Sequence, residues 1–217
     1  MKHEVFVTGS TGYIGRRLIE ALIDRGHPVR AFCRAASVAH VRLGATAVVG
    51  DALVAESVAG ALRPTETLVH LIGTPHPGPA RSAEFLRVDL ASVRAAVDAA
   101  RHAATPHFVY VSVAHPAPVM KAYVAARAEG ERTIASAGLT ATVLRPWYVL
   151  GPGHRWPVTL MPLYGIASLL PALRPGARRL GLVTLRQMVA ALVAAVEHPP
   201  PPGSMRILEV PAIRAAG

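Results

Sequence analysis

The sequence predicts an α/β protein: a doubly wound parallel sheet with helices on both faces and a small C-terminal lid. Three observations carry this. Short β-branched runs alternate with helical patterns along the chain, as they do where a parallel sheet is covered on both faces. A glycine-rich turn follows the first run and opens the first helical pattern. The chain has 217 residues, 52% of them hydrophobic, which suits one domain with a full core. No internal repeat or long linker divides it, so residues 1–217 read as a single domain, with 146–182 as a substrate-facing lid segment.

The strands are expected at "EVFVTG" (4–9), "PVRAFCR" (28–34), "ATAVVG" (45–50), "TLVHLIG" (67–73), "HFVYVSV" (107–113), "TATVLRP" (140–146) and, last, "RILEV" (206–210). Between the first two, a helix near 13–25 places Ile14, Leu18 and Leu22 on one face. Gly26 caps it and Pro28 stops it. A helix over 82–103 repeats Leu86, Leu90, Val93 and Val97, and another over 119–137 stops at Gly138. The final helix starts at a capping box, Thr184 with Gln187. It continues through Met188, Ala191, Leu192, Ala195 and Val196 and ends at the "PPPPG" of 199–203.

Residues 156–173 form an uncharged stretch of eighteen residues. Its length permits a membrane span, but Pro157, Pro162, Gly165 and Pro171 break any such helix. The stretch reads as a lid or buried irregular segment, with a peripheral membrane or protein-docking surface as the alternative.

Composition excludes several function classes. The net charge is +10, and all but two of the 23 Lys and Arg residues are Arg. They are scattered, no basic run exceeds two residues, and few aromatics accompany them, so nucleic acid is not the expected partner. A basic surface still attracts anions such as a dinucleotide phosphate. Cys33 is alone, which leaves no disulfide framework or cysteine zinc site. With no basic region and apolar run at the start of the sequence, a cytoplasmic protein without a secretory signal is expected.

The chemistry begins at "VFVTGSTGYIGRRL". Gly9 permits the tight turn, Gly12 lets backbone approach a pyrophosphate, and Gly15 lets the helix pack closely on the strand. The helix N-terminus adds unpaired amides and partial positive charge. This is a dinucleotide loop of Rossmann type. Its TGxxGxxG spacing, with "VVGDALVAESVAGAL" and "VLRPWYVLGPG", resembles the extended and atypical short-chain dehydrogenase/reductases, over nearly the whole chain and in the right order. The short length points to the atypical NAD(P)H-binding group, which includes reductases, NADP-binding regulators and a respiratory accessory subunit.

The resemblance implies a cofactor held by Gly9, Ser10, Thr11, Gly12, Tyr13, Ile14 and Gly15, with Asp51 near the adenine and Pro146 near the nicotinamide. At the end of the second strand, where NAD-preferring sites place an acid, stands Arg34. A guanidinium there, with Ser37 nearby, favours NADP(H) over NAD(H).

In catalytic members a Ser, a Tyr and a Lys four residues after the Tyr act together. Here the matching residues are Ser112, Tyr123 and Arg127. Arginine keeps the positive charge for ribose binding but cannot release its proton, so binding survives the exchange and a lysine-type proton relay does not. Substrate is expected at Trp147, Tyr148 and His154. His76, His115 and His154 follow strand ends and are alternative proton donors. No pair has metal-ligand spacing, so no metal site is expected. The reading is an NADP(H)-dependent oxidoreductase acting on a small, apolar carbonyl-type substrate. The alternatives are a non-catalytic NAD(P)H-binding sensor or accessory protein, and an epimerase or dehydratase relative.

Overall fold

The computed structural model describes residues 2–74, 81–152, 176 and 179–217. All seven expected strands join one parallel sheet, in the order β3-β2-β1-β4-β5-β6-β9. They are β1 (Glu4–Thr8), β2 (Val29–Cys33), β3 (Thr46–Val49), β4 (Glu66–His70), β5 (His107–Val111), β6 (Ala141–Arg145) and β9 (Met205–Glu209). The first six are each a residue or more shorter than their sequence patterns, because the apolar runs continue into the turns at the carboxyl ends, while β9 keeps its expected length and starts one residue earlier. Between them in the chain, β7 (Tyr148–Leu150) pairs in parallel with β8 (Leu182–Thr184) as a separate two-stranded sheet. Nothing in the sequence announces that pair, since each strand is only three residues long.

Side chains alternate across the sheet and fill two cores. Val5 and Val7 of β1, with Val29, Ala31, Val69, Val109 and Leu144, meet α1 (Tyr13–Asp24), α6 (Leu185–Glu197) and α7 (Val210–Ala215). Phe6, Phe32, Leu68, Phe108, Tyr110 and Val143 point the other way. They meet α2 (Ala55–Ala59), α4 (Ala91–His102) and α5 (Lys121–Ser136). Leu18 and Leu22 are buried in the first core, with Ile14 packed at its margin. The expected capping box on α6 is present, with Thr184 Oγ1 accepting from Gln187 N at 3.2 Å and Gln187 Oε1 accepting from Thr184 N at 3.0 Å.

One expected core residue is not in the core. The helical stretch that leads into α4 starts as α3 (Ser82–Glu84) and passes through a π-helical turn, Phe85–Leu90. A π turn inserts one residue and rotates everything before it by about 100° relative to a regular helix. Leu86 therefore turns outward and is 61% exposed, while Phe85 and Asp89 are buried. Asp89, in helical phase with the buried Val93 and Ala96, brings a carboxylate into the interior, beneath the carboxyl ends of β4 and β5.

Candidate active site

The order of strands reverses between β1 and β4, and open α/β sheets bind ligands outside such a point, at the carboxyl ends. The glycine loop lies there. Gly9 has φ +70° and packs on the Leu71 backbone just beyond β4, while Gly12 N donates to Gly9 O at 3.0 Å. A Cβ on Gly15 would collide with the carbonyl oxygens of Gly9 and Ser10, so the helix can start this close to the strand only with glycine. On Gly12, by contrast, a Cβ meets nothing nearer than the Gly9 oxygen at 3.1 Å, so its outer side is open for a ligand. Ser10 is buried and its hydroxyl donates to Phe32 O at 2.9 Å, tying the loop to β2. Thr11, Tyr13 and Ile14 are half-buried. The Tyr13 hydroxyl lies against Gly151, which brings the first turn of α1 to the segment after β7. No acidic residue occupies that first turn, and first-turn amides lack intrahelical acceptors. The cradle fits a dinucleotide pyrophosphate.

At the end of β2, Arg34 is exposed and begins the 3₁₀ turn Ala35–His40, with Ser37 N donating to Arg34 O at 2.8 Å. The Arg34 guanidinium has no ion-pair or hydrogen-bond partner among the described residues. Asp51, beyond β3, is exposed and uses Oδ1 to accept from Leu53 N at 2.9 Å.

Deeper in, under β4 and β5, lies a buried polar floor. Asp89 Oδ2 accepts from Thr74 N at 3.0 Å and from Thr74 Oγ1 at 2.5 Å. Its Oδ1 stands 2.7 Å from Arg127 Nη2 as an ion pair, without hydrogen-bond alignment. Arg127 Nη1 donates to Val111 O at 3.0 Å, and the guanidinium lies 5.3 Å from the Tyr123 ring centroid and 5.8 Å from that of Tyr110. Arg127 Nε is buried with no partner among the described residues. Beside this pair, His70 bridges Thr8 Oγ1 (2.9 Å from Nδ1) and Ser92 Oγ (3.2 Å from Nε2). Burial, and then the Arg127 charge, pushes the His70 imidazole down to about 3, so it is neutral.

Tyr123 is half-buried and packs edge-on against Phe85, with centroids 5.1 Å apart. Ser112 is placed elsewhere: its hydroxyl donates to Glu131 Oε1 at 2.5 Å. Glu131 is gripped by Arg145 through Nε (3.0 Å to Oε1) and Nη2 (2.5 Å to Oε2), and His115 Nε2 lies 3.2 Å from the same Oε1. Burial alone would raise the Glu131 carboxyl, but Arg145 and then Ser112 hold it below its ordinary value as an anion. Pro146 O accepts from Ala114 N at 2.9 Å, joining the exits of β5 and β6. Trp147 and Tyr148 follow, with rings edge to face at 5.6 Å. His76, His154 and the 156–173 stretch, with most of the lid segment, lie outside the described residues.

Sequence reasoning missed Asp89 and Glu131. Asp89 carried a signal, since it falls four residues before Val93 and seven before Ala96 on the buried helix face. Glu131 carried one too, since Tyr123, Arg127 and Glu131 fall at successive four-residue steps and so share one face of α5. No cluster of His, Cys, Asp or Glu suited to a metal occurs among the described residues. No helix among them is long and apolar enough to cross a membrane.

The sequence pattern of a family described as NAD(P)H-binding matches residues 9–158, from the glycine loop past β7. The chain is 30% identical over 198 residues to the ceramide reductase of Caulobacter vibrioides, an alignment covering 90% of this chain and 61% of that protein. It therefore spans less than two thirds of that relative. It is 34% identical over 221 residues to the 3-diazoavenalumate denitrifying reductase of a Streptomyces species, covering 89% of this chain and 72% of that one. A solved short-chain dehydrogenase/reductase superfamily protein from Agrobacterium tumefaciens, with bound NAD, superposes with a TM-score of 0.70 at 22% identity, over 95% of this chain and 77% of that one. The glycine cradle at the sheet's switch point and the matched span agree, and the chain belongs to this NAD(P)H-binding family.

Proposed function

We propose that this protein is an NADP(H)-dependent reductase of a small, largely apolar carbonyl-type substrate. The observation that carries the cofactor choice is the guanidinium of Arg34 at the end of β2, which has no partner among the described residues. An acid there would accept from a ribose 2′-hydroxyl, whereas a free guanidinium offers charge and paired donors to a 2′-phosphate. Asp51 does not take the acid's place, because it stands beyond β3 and not at the end of β2. Gly9, Gly12, Gly15 and the first turn of α1 hold the pyrophosphate, and Pro146, Trp147 and Tyr148 border the reacting end. Two relatives named as reductases support reduction as the reaction class, and the paired rings of Trp147 and Tyr148 support an apolar substrate.

A second reading, a cofactor-binding protein without turnover, draws on the commitments of two expected catalytic groups. Arg127 is paired with Asp89, and the Ser112 proton is given to Glu131. Fluorescence titration of the purified protein with NADPH and NADH, followed by a carbonyl panel, tests both readings. Tighter binding of NADPH with consumption of at least one carbonyl is the expected result. Replacing Arg34 by Asp puts a like charge at the 2′-phosphate and is expected to weaken NADPH much more than NADH. Equal affinities before and after that change overturn the NADP assignment. Tight NADPH binding with no consumption favours the second reading.

A further inference from the structure

The cluster of Ser112, Glu131, Arg145 and His115 places a reactive imidazole where the reductase reading needs a proton. A serine hydroxyl has one hydrogen, and that of Ser112 points at Glu131 Oε1, 2.5 Å away. Ser112 therefore has no proton left to polarise a substrate oxygen. Glu131 is itself buried and locked by the paired donors of Arg145, so it is a fixed anchor.

His115 sits on the outer side of that anchor. Its side chain is 21% exposed, against 6% for Glu131. Donation of Nε2–H to the carboxylate fixes the ring, and Nδ1, on the opposite edge, makes no hydrogen bond among the described residues. The bond from Ala114 N to Pro146 O puts His115 one residue from the junction of the β5 and β6 exits, next to Trp147 and Tyr148. The charged groups facing the imidazole are Glu131 and, behind it, Arg145. Tyr123 has a different setting, with its ring held between Phe85 and the Arg127 guanidinium.

We propose that His115, oriented by Glu131, donates the proton to the carbonyl oxygen, with Glu131 as the positioning residue. This rests on the reductase reading above. A reduced nicotinamide, when bound, supplies the hydride to the carbonyl carbon, and the carbonyl π pair becomes a lone pair on oxygen. The Nδ1–H bond of the His115 imidazolium breaks as the O–H bond of the alcohol forms. The ring is left neutral, still donating Nε2–H to Glu131. Solvent restores the Nδ1 proton through the exposed edge.

The test needs activity and a second readout. With NADPH and a panel of 9,10-phenanthrenequinone and straight-chain 2-alkanones, His115→Gln is expected to lower kcat by about 10²–10⁴-fold while NADPH binding is retained. That loss should exceed the loss in Tyr123→Phe. In the cofactor-free protein, nitrogen-15 spectra of the imidazoles, assigned by the signal missing in His115→Gln and recorded at a pH high enough to leave one proton on the ring, should show that proton on Nε2. Glu131→Gln should redistribute it between the two nitrogens. Turnover that survives His115→Gln, or a larger loss in Tyr123→Phe, overturns the proton donor and leaves the reductase reading standing. A neutral His115 ring that carries its single proton on Nδ1 rather than Nε2 also overturns it. Tight NADPH binding with none of the panel reduced overturns the reductase reading, and the proton donor falls with it.

Discussion

At Arg127 the guanidinium keeps its charge but spends it inside the protein, on Asp89, the Val111 carbonyl and two aromatic faces. Lysine in its place would bring one compact ammonium on a flexible stem, where arginine brings a planar fork that reaches several acceptors at once. That difference makes the pair structural as well as electrostatic. Truncating one partner of a buried pair strands the other charge, which typically destabilises by about 3–5 kcal/mol. Arg127→Met is therefore expected to lose stability on that scale, measured by urea unfolding. Asp89→Asn added to Arg127→Met should recover part of the loss, because it removes the stranded carboxylate. Additive losses in the double variant would show that the two side chains are not coupled.

The same pair shows where sequence reasoning stopped at the scale of elements. The strands were legible because β-branched runs bury on both faces of a parallel sheet, and the capping box of α6 was legible because it is local chemistry. The π turn was not, since nothing in "FLRVDL" departs from a helical period, and the turn shows only in Phe85 being buried where Leu86 was expected. The cofactor cradle could be read from three glycines and their context. The commitments of Ser112 and Arg127 could not, because their partners Glu131 and Asp89 lie 19 residues away in one case and on another helix in the other. Element-scale tests follow from what was legible. Gly15→Ala pushes a methyl into the Gly9 and Ser10 carbonyls, and should abolish cofactor binding or unfold the loop; a folded variant binding NADPH normally would refute the close approach. Thr184→Ala removes one half of the capping box and should cost about 1 kcal/mol, read as a lower midpoint in thermal unfolding with cofactor affinity unchanged.

Across the whole molecule, the two cores leave histidines in places where a proton cannot follow. His70 is held near 3 by burial and then by Arg127, and His107 near 4 by burial, then by Arg206 and His3. His107 opens β5 at its amino end, where its Nε2 meets Thr142 Oγ1 at 2.9 Å. Unfolded, each titrates near its ordinary value of about 6.5. Above that pH both states are neutral and the full stability is present. As the pH falls below it, the unfolded chain takes up protons that the native fold refuses, so stability is lost progressively until the folded values are reached. Each group contributes a slope on the order of 1 kcal/mol per pH unit within that window. The carboxylates act later. Glu197, held at about 2 chiefly by its Arg25 hydrogen bonds, and Glu131, also depressed, stabilise the fold at all pH values above the ordinary carboxylate range. Between pH 6.5 and 4.5 the buried histidines therefore set the trend. The melting temperature should be flat above pH 7, fall from pH 6.5 to 5, and fall less steeply in His107→Gln, which can keep the bond to Thr142 without a titrating ring. A melting temperature unchanged from pH 7 to 5 would mean that water reaches these rings and that the sheet is more open around His70 than its packing against Phe108 and Tyr110 implies.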